Sequence, residues 1–151
     1  MFLVIGMRIF YLYQINDFCR DLYEEYPCKL YRILKDIYYT SKYNQSLAIS
    51  SYDQVTLKFN REFIQKYIFQ RYRLDLFYHY KNNVHTISCS GEYSKLMVSG
   101  YSLKLKSSIN YPSFFDCLND FSDNIFVCDF ENGDYFWLDR VIISRKSVVK
   151  E

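Results

Sequence analysis

Glycine and proline are scarce, with four Gly and two Pro in 151 residues. Gly6, Gly91, Gly100 and Gly133 stand far apart, so no glycine-rich loop is available to cradle a phosphate. Histidine is nearly absent: His79 and His85 are the whole supply. The five cysteines, Cys19, Cys28, Cys89, Cys117 and Cys128, are odd in number and none stands in a C-x-x-C pair. That pattern argues against a disulfide framework and against a zinc site, and it fits reduced, buried thiols in a cytoplasmic protein. There is no block of like charge, and the net charge of +2 does not by itself call for nucleic acid. No apolar run reaches the roughly 18 residues of a membrane span. The apolar start, Met1 to Tyr13, is broken by Arg8 and lacks the basic lead and small-residue cleavage site of a secretory signal. Met7 offers an alternative start, which would leave 1–6 as an extension. The expectation is one domain over 1–151, with no membrane, cofactor or small-molecule partner.

What the chain has in excess is aromatic rings, 21% of its residues, including 17 Tyr and 13 Phe. Rings fill cores and also anchor interfaces, and this many cannot all be interior. Part of the set is expected to form an exposed patch.

Hydrophobic periodicity divides the chain into a helical first half and a β-rich second half. Residues 8–15 (RIFYLYQI) read as a buried strand. Asn16 follows as a helix cap, with Phe18, Cys19, Leu22, Tyr23 and Tyr26 at helical spacing up to Pro27. Leu30, Tyr31, Leu34, Ile37 and Tyr38 give a second helix, and the polar stretch 40–46 reads as a loop. Ser51-x-x-Gln54 resembles a capping box opening a short helix over 52–58, and 61–75 reads as a third helical segment. Strands are expected over 76–80, 84–89, 93–100, 101–106, 124–130 and 134–143, with a hairpin turn at 81–83, a turn at Asn132-Gly133 and a helix over 112–121 capped at Pro112 and Ser113. This order predicts an α+β fold with a mainly antiparallel or mixed sheet packed by several helices.

Three constellations of side chains could carry chemistry. His79 and His85, six apart across a hairpin, would face each other if the strands paired about Asn82, with Cys89 nearby as a nucleophile. No orienting acid accompanies them, so catalysis is not expected. Asp129, Glu131, Asp134 and Asp139 cluster around a turn but miss the calcium-loop spacing, and Asp129 is expected to brace the turn instead. Arg61, Lys66, Arg71 and Arg73 interleave with Tyr67, Phe69 and Tyr72. Cations with stacking rings suit single-stranded nucleic acid, so a basic, aromatic helix over 61–73 is the alternative function.

The most specific pattern lies near the carboxyl end. Phe115-x-x-Leu118 precedes an apolar strand ending in Asp129-Phe130, then four residues, then Tyr135-x-Trp137-Leu138-Asp139. With Phe10-Tyr11-x-Tyr13-x-Ile15 and Phe18 at the other end, this skeleton resembles the sporulation inhibitor of replication (SirA) family. The resemblance covers roughly 35 residues at the carboxyl end and 20 at the amino end; between them it rests mainly on Ser51-x-x-Gln54. It implies a cytoplasmic, non-enzymatic protein that binds the N-terminal domain of the replication initiator DnaA and blocks initiation during sporulation. Carried onto this chain, the partner-binding positions are Phe18 and Leu22, with Tyr23 adjoining, on the first helix, and Gln54 and Leu57 on a neighbouring helix. The chain departs from the family pattern in having Leu22 and Leu57 where aromatics are expected and Arg140 where a proline is expected. Either the partner surface has changed to match or the contact is weaker.

Overall fold

The computed structural model describes residues 6–142, so the 1–6 extension lies outside the described residues except for Gly6. Strand β1 (Arg8–Ile15) runs into helix α1 (Asp17–Tyr23), followed by α2 (Pro27–Ser41), α3 (Gln45–Val55), the two-residue strand β2 (Thr56–Leu57) and α4 (Arg61–Tyr72). Then come β3 (Tyr78–Lys81), β4 (Val84–Cys89), β5 (Glu92–Val98), β6 (Leu103–Ser107), α5 (Phe114–Phe121), β7 (Ile125–Asp129) and β8 (Asp134–Trp137). The result is the expected α+β fold. Among the described residues every strand pairing is antiparallel, in the order β3-β4-β5-β6-β1-β7-β8. β2 sits off this path against the end of β1, with Gln14 opposite Leu57 and Ile15 opposite Thr56.

β1 is apolar almost throughout because the sheet is covered on both faces. Phe10 and Leu12 point into a core under α4 and α5, with Ile64, Ile68, Phe114 and Phe115. Tyr13 and Ile15 point the other way, into a core with Leu30, Leu34, Ala48 and Tyr52 from α2 and α3. β7 divides likewise, Ile125 and Val127 to one side, Phe126 and Cys128 to the other. Each such buried side chain contributes roughly 1.5–3 kcal/mol. The second core absorbs much of the aromatic excess: Tyr31 stacks on Tyr135 at 4.6 Å between centroids, Tyr38 on Phe130 at 4.7 Å and Tyr52 on Tyr101 at 5.2 Å. Trp137, the chain's one indole, is buried beside Phe126.

Several boundaries move. The polar stretch 40–46 is not one loop: α2 continues to Ser41, and Asn44 caps α3 by accepting the Leu47 amide at 3.1 Å. Ser51 and Gln54 are therefore inside a helix rather than at its start, and Leu57 is on a strand. α4 stops at Tyr72. The hairpin turn is Asn82-Asn83, both with positive φ, which suits a two-residue turn of Asn residues. Ser113 does not cap α5 with its side chain; its hydroxyl donates to the buried Glu92 carboxylate at 2.5 Å. β8 ends at Trp137, and helical turns occupy 138–142 where a strand was expected to continue to 143; residue 143 itself lies outside the described residues.

Candidate docking surface

α1 is seven residues long, too short to stand alone, and its position is set by what grips it. Asn16 precedes it in extended geometry, and its Oδ1 accepts the Cys19 amide at 2.8 Å. The same side chain donates from Nδ2 to the Gln54 carbonyl at 3.0 Å, and the Asn16 backbone N–H donates to the Val55 carbonyl at 3.0 Å. The start of α1 is thereby joined to the end of α3. Cys19 and Arg20 fill the inward face. The Arg20 guanidinium lies 4.0 Å over the Trp137 ring, pairs with Asp139 at 3.0 Å, and donates to the Asp123 carbonyl at 2.9 Å.

With that face fixed, the opposite face is turned to solvent. Phe18 is 75% exposed and Leu22 is 51% exposed, four residues apart on one side of the helix. Ile15 and Cys19 supply the buried side, while Tyr26 stays exposed because α1 has ended before it. Tyr23 is half-buried, packed against the aromatic core. Gln54 is exposed at the end of α3, and Leu57 is 47% exposed on β2. The hydrogen bonds from Asn16 place α1 beside Gln54, and the β1–β2 pairing places Leu57 opposite Gln14, just before α1. Phe18, two residues past Asn16, is thus carried at the end of α1 that adjoins Gln54 and Leu57, with Leu22 one turn further along. Asp17 and Asp21 are exposed on α1, so the apolar pair has an acidic border. Leu47, 54% exposed, extends the surface along α3, since it lies seven residues before Gln54 and hence on the same helix face. Leu47 was hidden from the sequence because the segment before it reads as loop. Arg20 was missed because an arginine stacked on a tryptophan leaves no periodic signal.

Among the described residues no three His, Cys, Asp or Glu side chains are grouped to hold a metal ion. Asp129 braces its turn through the Asn132 amide and side chain, and with Asp134 it binds Arg8, each at 2.9 Å, whereas Asp139 serves Arg20. The two histidines do not meet. With the turn at Asn82-Asn83, His79 stands opposite Thr86 and His85 opposite Tyr80, so a one-residue shift sends them to opposite faces. His85 is buried, accepting from or donating to the Tyr78 hydroxyl at 2.6 Å and bonded to the Gln65 side chain. Desolvation lowers its pKa to about 4. Cys89 is four residues further along β4, about 13 Å away at strand rise. Arg61, Lys66 and Arg71 on α4 and Arg73 just past it are exposed, but Tyr67 packs against Phe121, and Tyr72 against Tyr78 and Phe114. Of those three rings only Phe69 is exposed, at 43%, so the interleaved cations and rings do not form a continuous stacking row.

The fold and this surface define a small α+β protein that displays apolar side chains on a braced helix face. Residues 8–141 match the model of the family described as sporulation inhibitor of replication protein SirA, and the chain belongs to that family, whose role is regulatory inhibition of replication during sporulation. No curated protein matches the chain. No helix among the described residues is long and apolar enough to cross a membrane.

Proposed function

We propose that this chain, as one domain over 1–151, acts in the cytoplasm by binding the N-terminal domain of the replication initiator DnaA and so preventing new rounds of replication. The contact is made by Phe18 and Leu22 of α1, with Tyr23, Gln54 and Leu57 around them. The observation that carries this reading is the exposure of Phe18 and Leu22 on a helix whose other face is pinned by Asn16, Cys19 and Arg20. A large apolar pair held rigidly in water loses little conformational freedom when it is covered, which is what makes a strong anchor. An interface of about 800 Å² per partner would extend well beyond the two side chains. The acidic border of Asp17 and Asp21 favours a partner with cations around an apolar centre. Inhibition then follows from occupancy: whatever the initiator domain ordinarily engages with that surface is excluded, with neither catalysis nor a cofactor involved. Pull-down of the purified initiator domain by this chain tests the reading; retention by the wild type and loss with Phe18→Ala is the expected result, and equal retention by both overturns it.

A further inference from the structure

A second surface lies at the far end of the sheet. β3 is its terminal strand, paired only to β4. The two-residue turn fixes which groups are used: Lys81 bonds with Val84, His79 with Thr86, and the Phe77 carbonyl accepts from Ser88 at 3.0 Å. Tyr78 and Tyr80 therefore aim their backbone groups away from the sheet. The Tyr78 amide is taken by the Asp75 carbonyl at 3.2 Å, leaving the Tyr78 carbonyl and both polar groups of Tyr80 along the open edge. No proline and no bulge blunts this edge.

α4 overhangs it. Phe69 reaches the rings of Tyr78 and Tyr80, with centroids 6.4 and 6.0 Å apart. Lys66, Phe69, Gln70 and Arg73, at positions i, i+3, i+4 and i+7, form one helix stripe lining an open groove of about 470 Å³. Phe69 is 43% exposed in the middle, with a cation on either side, and among the described residues neither Lys66 nor Arg73 makes an ion pair. Arg71, by contrast, is held by Asp120 at 2.7 Å. Just before β3, Leu76 and Phe77 are also exposed, at 94% and 57%.

We infer that this groove takes an extended, acidic segment of a partner protein, added antiparallel to β3. Its backbone completes the ladder at Tyr80, one apolar side chain covers Phe69, and carboxylates on the same face meet Lys66 and Arg73. A strand edge roofed by a helix is the arrangement that captures peptides by strand addition, with the backbone supplying affinity and the side-chain stripe selectivity. The charge pattern separates the candidate occupants: a second copy would bring Lys66 and Arg73 toward their own equivalents, whereas an acidic strand neutralises them.

The test uses the full chain, labelled with ¹⁵N, titrated with the capped heptapeptide Thr-Glu-Thr-Val-Thr-Glu-Thr, which puts valine and both glutamates on one face, and with its counterpart carrying lysine for each glutamate. The acidic peptide should shift the Tyr80 amide and slow its hydrogen exchange while leaving α1 unmoved. The lysine peptide should bind at least about fivefold more weakly, since it forgoes two exposed ion pairs and sets like charges against both cations. N-methylation of the acidic peptide on the edge facing Tyr80 should abolish binding without any change to the protein, and Phe69→Ser, assayed well below its own melting temperature, should weaken it at least tenfold. Equal binding of both peptides, shifts confined to α1, protection of Tyr80 that grows with protein concentration alone, or displacement of the peptide by oligothymidylate would each overturn the inference.

Discussion

The side chain of Asn16 bridges to the backbone of Gln54, donating to its carbonyl at 3.0 Å while capping α1 through the Cys19 amide at 2.8 Å. One residue thus both starts the short helix and aligns it with α3. Asn16→Ala is expected to lose about 1 kcal/mol from the cap alone. In a chain of this length that lowers the melting temperature by about 2–4 °C. Asn16→Asp should keep the cap but face the Gln54 carbonyl with a carboxylate. Circular dichroism melts and initiator-domain titrations of the two variants separate the functions: both should bind more weakly, but only the alanine variant should lose helix capping.

Arg20 fastens the opposite face of α1. Its guanidinium is largely buried, stacked on Trp137 and bound to Asp139 and the Asp123 carbonyl. Arg20→Met should destabilise the fold by about 2–3 kcal/mol, because Asp139 is left without its cation and the carbonyl without its donor. Arg20→Lys should recover little, since an ammonium cannot stack flat on the indole while reaching both Asp139 and the Asp123 carbonyl. Urea titration of both variants checks this.

His85 makes stability depend on pH. Its folded pKa is about 4 against 6.5 for the unconstrained ring, so the unfolded chain takes up the proton first as pH falls. The native state should lose nothing from this group above pH 6.5, about 2 kcal/mol by pH 5, and about 3 kcal/mol once pH is below 4. His85→Gln should be less stable than wild type at pH 7, because the bond to Tyr78 is disturbed, yet should show a shallower decline between pH 7 and pH 5. Chemical denaturation at the two pH values measures the difference.

The fold was readable wherever burial is two-sided or periodic. RIFYLYQI could only be an interior strand, and Phe18 and Leu22 share a face by spacing alone. Three things escaped. Asn44, not Ser51, starts α3, because a cap residue works from its own conformation and Ser51-x-x-Gln54 is satisfied equally well inside a helix. The strand at Tyr135-x-Trp137 turns helical at 138, where Trp137 has to bury against Phe126 and Arg20. The histidine register failed by one residue at Asn82-Asn83, enough to reverse the face of every side chain. Of the docking surface, spacing puts Phe18 and Leu22 on one helix face, but their choice as anchors came from the family resemblance. The adjacency of Gln54 and Leu57 came from the family resemblance, since no local pattern reports a contact between residues so far apart in sequence.

Leu57 occupies a position where an aromatic is expected, and it is half-exposed on β2 with room toward solvent. Leu57→Phe should leave the melting temperature within about 1 °C, as exposed substitutions generally shift stability by less than about 0.5 kcal/mol. If the partner surface retains a pocket for a ring there, affinity for the initiator domain should rise severalfold; an unchanged or lower affinity would indicate that the partner has adapted to leucine. Isothermal titration calorimetry reads both.

The most direct measurement is the affinity of the initiator's N-terminal domain for wild-type chain and for Phe18→Ala, each with its melting curve. An anchor of at least about 2 kcal/mol corresponds to a loss of about 30-fold or more, with the melting temperature unchanged because Phe18 contributes so little to the core. Equal affinities for the two proteins, or a loss matched by unfolding, would contradict the account.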